Sequence, residues 1–393
     1  MDDPMNFPVS PHILAVHPPP ISEVKEWAAR RQNPHLPLID LCQAVPDYPP
    51  PRQLTDHLKP LLDDPLTSKY SPDEGLPEVR ESVCEWYRRV YEARIAPDQV
   101  CLTIGASQAF WLAMVTLCQA GDEVIVQAPC YFDHPMALEA LGIRVVFAPF
   151  CEEDRGLPSI DTLQRLITER TRALLVVSPS NPTGAIIPPE TIDRLYDLAA
   201  GHGIALVIDE TYNCFTPGGA PHRLFSRNDW GDHFIHLASF GKTLALTGYR
   251  AGMLAASAPF IRQALKIQDT MAVCQPRITQ QAVRFGLDNL GNWIEEKRAM
   301  MARRHDRFRS EFDSSVSSFR IAASGAFFAW VRHPWSDLNG RQAARRLIDQ
   351  AGILCLPGEV FGPGLGSYLR LAFGNIDEAA IPEAIDRFRQ CER

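Results

Sequence analysis

Apolar residues along this chain fall into short continuous runs separated by polar segments, and those runs set the first expectation. From residue 98 onward, "QVCLTI", "EVIVQA", "RVVFAPF", "RALLVVSP", "IALVIDE", "FIHLASF" and "GMLAAS" alternate with helical stretches. A strand that is apolar at every position is buried on both faces. The pattern therefore predicts an α/β fold, a mostly parallel seven-stranded sheet sandwiched by helices. After about residue 258 the period turns helical, and "RITQQAVRFGLDNLGNWIEEKRAMMARRHDRFRSEF" reads as long amphipathic segments. "SGAFFAWVR", "GILCLPG" and "SYLRLAF" then interleave short strands with helices, which predicts a smaller α+β domain. The proline clusters "HPPP" (17–20) and "YPPPR" (48–52) suggest an extended N-terminal arm that packs back on that domain. The expected division is an arm with part of the small domain over 1–45, a large domain over 46–285 and a small C-terminal domain over 286–393.

Composition narrows the function classes. The 393 residues are 46% hydrophobic and 22% charged with a formal net charge of −8, so nothing draws the chain to nucleic acid or an anionic membrane. The ten cysteines are scattered, without a C-x-x-C pair. That spacing argues for reduced thiols rather than disulfides or a metal site, and for a cytoplasmic protein. The acidic, proline-broken start fits neither a signal nor a transit peptide, and no apolar stretch is long enough to span a bilayer.

In open α/β sheets ligands bind beyond the carboxyl ends of the strands. The segments just past five of the runs are "GASQA", "PCYFDH", "PSNPTG", "DETY" and "SFGKT", so polar and aromatic groups converge on one edge. The Gly-Lys-Thr triplet tempts toward a nucleotide-binding P-loop, but that motif needs a glycine where His236 stands. Lys242 keeps different company: Arg250 follows eight residues later, and Asp209 ends an apolar strand 33 residues earlier.

This is the set of groups that pyridoxal phosphate needs. A lysine amine forms a Schiff base with its aldehyde, and a carboxylate keeps the pyridine nitrogen protonated so that the ring accepts electrons. Lys242 and Asp209 suit those roles. Backbone amides at Ala106 and Ser107, the Ser239 hydroxyl and Arg250 suit the phosphate. Tyr131 suits stacking on the ring, and Asn181 and Tyr212 suit donation to its phenolate oxygen. Duller roles stand beside these: Asp209 as an N-cap, Tyr131 and Tyr70 as core or surface aromatics, Arg370 as a surface ion-pair residue, and Ser239 as a local cap.

The segments "YSPDEGLPEVRESV", "SPSNPTGAIIP", "VIDETY", "SFGKTLALTGYRAG" and "YLRLAFGN" occur in an order and spacing that resemble the fold-type I, class I/II pyridoxal-phosphate aminotransferases, from about residue 39 to 390. The resemblance implies that Lys242 is the Schiff-base lysine and proton shuttle, Asp209 the pyridinium partner and Tyr212 the phenolate-oxygen donor. It implies further that Asn181 bridges that oxygen and the substrate carboxylate, and that Arg370 grips this alpha-carboxylate. Tyr70 is similar to a tyrosine that reaches the phosphate of a neighbouring subunit, which implies a homodimer with shared active sites. "LCQAVPDYPPP" resembles the arm of glutamine, kynurenine and methionine aminotransferases, with Cys42 and Ala44 in place of two glycines, so Ala44 is expected beside the substrate. Gly241 stands where many relatives carry serine.

Three functions follow from this reading. The first is an aminotransferase for neutral, aromatic or sulfur-containing amino acids and 2-oxo acids, working by a ping-pong cycle. The second keeps the cofactor but runs a lyase, decarboxylase, racemase or cyclase reaction. The third, a cofactor-sensing regulator fused to a DNA-binding module, is disfavoured because only about 38 proline-rich residues precede the body.

Overall fold

The computed structural model describes residues 7–216, 218, 220–316 and 318–391; the acidic start and the last two residues lie outside them. A two-residue strand in the arm, β1 (Ile39–Asp40), precedes the main sheet. The seven apolar runs each form one strand of that sheet: β2 (Val100–Ile104), β3 (Glu123–Gln127), β4 (Arg144–Ala148), β5 (Thr171–Val177), β6 (Ala205–Asp209), β7 (Phe234–Ser239) and β8 (Ala251–Ala255). Their spatial order is β2-β8-β7-β6-β5-β3-β4.

Alternation explains why the runs are apolar throughout. Leu206 and Ile208 enter one core with Ile125, Leu174 and Val176, while Ala205 and Val207 enter the other with Val124, Ala173 and Leu175. Both faces are covered, so neither set of side chains meets water.

Six strands run parallel, and β8 is antiparallel to both its neighbours, β2 and β7. This reversal brings the start of β8, next to Arg250, to the edge where the parallel strands end. Ile104 pairs with Ala251 and Ser239 with Gly252 in that register.

The smaller domain holds β9 (Arg320–Gly325), β10 (Phe328–Arg332), β11 (Ile353–Leu354), β12 (Leu356–Pro357) and β13 (Tyr368–Ala372). Four of these form an antiparallel sheet in the order β12-β13-β10-β9, while β11 pairs in parallel with β1 of the arm. The amide of Ala372 also donates to the carbonyl of Leu41 at 2.8 Å, so the arm packs back on this sheet as its sequence suggested. The two domains meet at Gly184 and Gly325. Gly184 has φ +73°, and a Cβ there would stand 2.2 Å from the Gly325 amide nitrogen, so only glycine fits that crossing. The helical region is broken into helices over Ala258–Ala272, Arg277–Asn289 and Gly291–Ser315. No described helix is long and apolar enough to cross a membrane, and all ten cysteines are free thiols.

Candidate active site

A cavity of about 560 Å³ opens at the edge where the parallel strands end. Ala44, Ala106, Ser107, Tyr131, Asn181, Asp209, Tyr212, Ser239, Lys242, Arg250 and Arg370 all line it. They come from five strand ends, the start of β8, the arm and β13. Tyr70 does not line it: the residue is 76% exposed, and its backbone carbonyl accepts from Arg277.

Lys242 lies just past β7 on a single helical turn, Phe240–Thr243. Its Nζ donates to the carbonyl of Ala44 at 2.7 Å. Burial, then the charges of Arg250 and Arg370, push its ammonium down to about 7. Much of this amine is therefore a neutral nucleophile at ordinary pH. Ala44, expected beside the substrate, meets the lysine through its backbone as well.

Asp209 ends β6, and its carboxylate has two partners. Oδ2 lies 3.2 Å from His134 Nε2, and Oδ1 accepts from the Thr211 amide at 2.9 Å. Burial opposes ionisation, but the hydrogen bond and charge of His134, with Thr211, outweigh it and hold the carboxyl below its usual value. The Thr211 contact is the local turn expected of an Asp at a strand end, and it coexists with the outward-facing role.

Tyr212 is buried and accepts from Asn181 Nδ2 at 3.3 Å. Burial, with the charge of Asp209, raises its phenol, so it stays a protonated donor. Asn181 Oδ1 in turn accepts from Arg370 Nη1 at 3.1 Å, and Arg370 Nη2 donates to the carbonyl of Cys42. Arg370 is fully buried with its Nε unpartnered, which is not the environment of a surface ion pair. A buried guanidinium with an idle donor is suited to an anion that enters the cavity.

Gly105, which follows β2, shapes the opposite end. It has φ +76°, and a Cβ there would lie 2.6 Å from Arg250 Nη2. A Cβ on Gly252 would lie 2.4 Å from the Gly105 carbonyl carbon. The two glycines thus let backbone and guanidinium close around the turn that begins the helix Gly105–Leu117, a cradle suited to phosphate. Ser239 Oγ sits nearby on the carbonyl of Ala251 at 3.4 Å. A Cβ at Gly241 would stand 3.3 Å from that Oγ, so the missing side chain leaves Ser239 its room.

Sequence reasoning missed several cavity residues. His134 stood inside the quoted "PCYFDH" without a role, and nothing local marks it, because the loop after β3 reaches Asp209 across β5. Ile13, Val16, His17, Pro19 and Ile21 of the arm line the cavity too. Only the return of the arm over the helix Asp133–Ala140 brings them there.

On the other face of the sheet a second buried group stands closed off. Glu210 Oε2 lies 3.2 Å from His222 Nε2 and 3.3 Å from His236 Nδ1, and accepts from Tyr91 at 2.7 Å. These residue types suggest a metal centre. However, His222 Nδ1 accepts from the Leu224 amide at 3.2 Å, so a neutral His222 carries its proton on Nε2 and turns a donor, not a lone pair, toward Glu210.

A doubly covered, mainly parallel sheet with an amine, an acid, a buried arginine with an idle donor and a glycine-opened helix start around one cavity is the arrangement that a pyridoxal-phosphate transferase requires. Residues 37–388 match the model of the family "Aminotransferase class I and II", and the chain belongs to that family. An aromatic aminotransferase of Arabidopsis thaliana is 30% identical over 97% of this chain and 95% of its own length. An aspartate aminotransferase of Pyrococcus abyssi is 27% identical over 98% of both. Among solved structures, a single mutant of the Thermus thermophilus aspartate aminotransferase superposes with a TM-score of 0.90 at 28% identity, covering 98% of this chain and 99% of the other. Members of this family depend on pyridoxal phosphate, and the donor set described above fits that cofactor at both its ring and its phosphate end.

Proposed function

We propose that this protein transfers the amino group of a neutral, aromatic or sulfur-containing amino acid to a 2-oxo acid in a ping-pong cycle. The observation that carries the reading is that Lys242, Asp209, Asn181, Tyr212 and Arg370 line one cavity, with the lysine amine pushed down to about 7.

Pyridoxal phosphate, when bound, supplies an electron sink and a carrier for the amino group. Lys242 holds it through its amine and moves a proton to and from the substrate's alpha carbon, a task suited to a base whose pKa lies near the working pH. Asp209, kept anionic by His134 and Thr211, holds the proton of the ring nitrogen. Tyr212 donates to the ring oxygen, and Asn181 joins that oxygen to the carboxylate gripped by Arg370. Ser107, Ala106, Ser239 and Arg250 take the phosphate, Tyr131 covers the ring, and Ala44 borders the substrate. Tyr70, exposed on its own subunit, serves the neighbouring site of a homodimer. The division at residues 45 and 285 and a cytoplasmic location belong to the same reading.

An absorbance spectrum of the purified, cofactor-loaded protein, taken before and after adding single amino acids, tests this. Loss of the visible band with one equivalent of 2-oxo acid per site supports transamination and identifies the donor. Ammonia, carbon dioxide, the mirror-image amino acid or a cyclised product, formed while the visible band is retained, overturns it in favour of a lyase, decarboxylase, racemase or cyclase.

A further inference from the structure

We infer that Asp133 determines substrate choice: its carboxylate excludes amino acids with a second carboxylate and admits large uncharged side chains, preferably with a hydrogen-bond donor at the tip. The inference rests on the aminotransferase reading and narrows it.

Three cationic side chains of lysine or arginine line the cavity, Lys242, Arg250 and Arg370. Each is assigned to a group that is the same for every amino acid: the cofactor's anchor, its phosphate, or the alpha-carboxylate. Among the described residues of this subunit, no lysine or arginine of the lining remains for a second carboxylate. The acids among the lining residues are Asp209, committed to His134 and Thr211, and Asp133.

Asp133 sits between two residues of the ring region on one short segment. Tyr131 donates its hydroxyl to Asp133 Oδ2 at 2.6 Å, and His134 reaches Asp209. A carboxylate offers about four acceptor positions, so the tyrosine leaves most of them to an incoming donor. Asp133 also opens the helix Asp133–Ala140, where a negative charge suits the helix dipole. That explains why an acid is tolerated there, not why it faces a cavity. Much of the cavity it lines is apolar: Phe110, Trp111, Phe132 and Met136, with Ile13 and Val16 of the arm. An anionic side chain entering this space would be stripped of water beside a like charge, which is how a site rejects a competitor. A phenol, an indole or a thioether loses little hydration, and the first two bring a donor.

The test compares aspartate with phenylalanine and tyrosine as donors for the cofactor-loaded enzyme, as the ratio of kcat/KM values. The unaltered protein is expected to favour the aromatic donors by about 100-fold or more. In Asp133→Asn, or in Asp133→Ser should that variant fold poorly, the ratio should move toward aspartate by about tenfold. A measurement on the unaltered protein needs no variant: maleate should inhibit at least about tenfold more weakly than 3-phenylpropionate. Aspartate turned over as well as phenylalanine, an unchanged ratio in both variants, or maleate as the better inhibitor each overturns the role of Asp133 and leaves the aminotransferase reading standing. Failure of every amino acid to yield a 2-oxo acid overturns that reading and this inference with it.

Discussion

Asp209 and Glu210 are neighbours at the end of one strand, both buried acids with histidine partners, yet they face opposite sides of the sheet. Asp209 opens with one histidine onto the cavity. Glu210 is enclosed by two histidines, Tyr87 and Tyr91, with His236 Nε2 a further 2.8 Å from the Tyr87 hydroxyl. The chemistry is nearly the same; the access is not. What makes an acid–histidine group a working part is an open face for a ligand, and the closed group behind it is left to hold the core together.

Changes on the open face should abolish chemistry while sparing the fold. Lys242→Ala removes the amine that the whole edge surrounds, so turnover should fall by about 10⁴-fold or more while far-UV circular dichroism is unchanged. Near-normal turnover would sink the assignment. Asp209→Ala should lose about 10³-fold in kcat. Glu210→Gln should invert that pattern: about 2 kcal/mol of stability lost in urea unfolding, because Tyr91 and the histidines lose a charged acceptor, with far less effect on the activity of the folded fraction. If Glu210→Gln silences the folded enzyme as fully as Asp209→Ala does, the contrast between the two faces is wrong. His134→Gln should lie in between, with kcat reduced about 10–100-fold through a weakened hold on Asp209.

The remaining effects are in pH: the two faces act with the same sign, stability rising with pH, but in different windows. Lys242, pushed down to about 7, refuses a proton that the unfolded chain takes up below about 10.5. The cofactor-free protein should therefore gain stability as pH rises from about 7 toward 10, and Lys242→Ala should lack that slope. On the closed face, burial pushes His236 down to about 4 against the pull of Glu210. It stays neutral where the unfolded histidine is charged, so stability should fall as pH drops from about 6.5 to 4, and His236→Asn should flatten that limb. Unfolding midpoints across pH for the two variants separate the contributions.

Much of this molecule is legible along the chain. Continuous apolar runs produce the seven strands because burial on both faces leaves no position for a polar residue. Once the strands are known, the polar residues just past them mark Lys242, Asp209, Asn181 and Ser107 as a set. Hydropathy carries no direction, however, so the reversal of β8 was hidden, and with it the reason that Arg250 shares an edge with Ser239. His134 and the arm residues were hidden for a related reason: their partners lie far away in sequence, and no local pattern records a contact made across β5 or by a returning arm. Asp133 carries no local signal of its place, since an acid in a first helical turn has an ordinary explanation until a cavity is seen in front of it.

The sequence alone therefore determined the fold class, the cofactor chemistry and the residues at the strand ends, because these follow from local periodicity and from what each side chain can do. Which acid faces a ligand and which faces the core was decided by the tertiary structure, because adjacent residues in a strand point to opposite faces and only packing determines which face stays open.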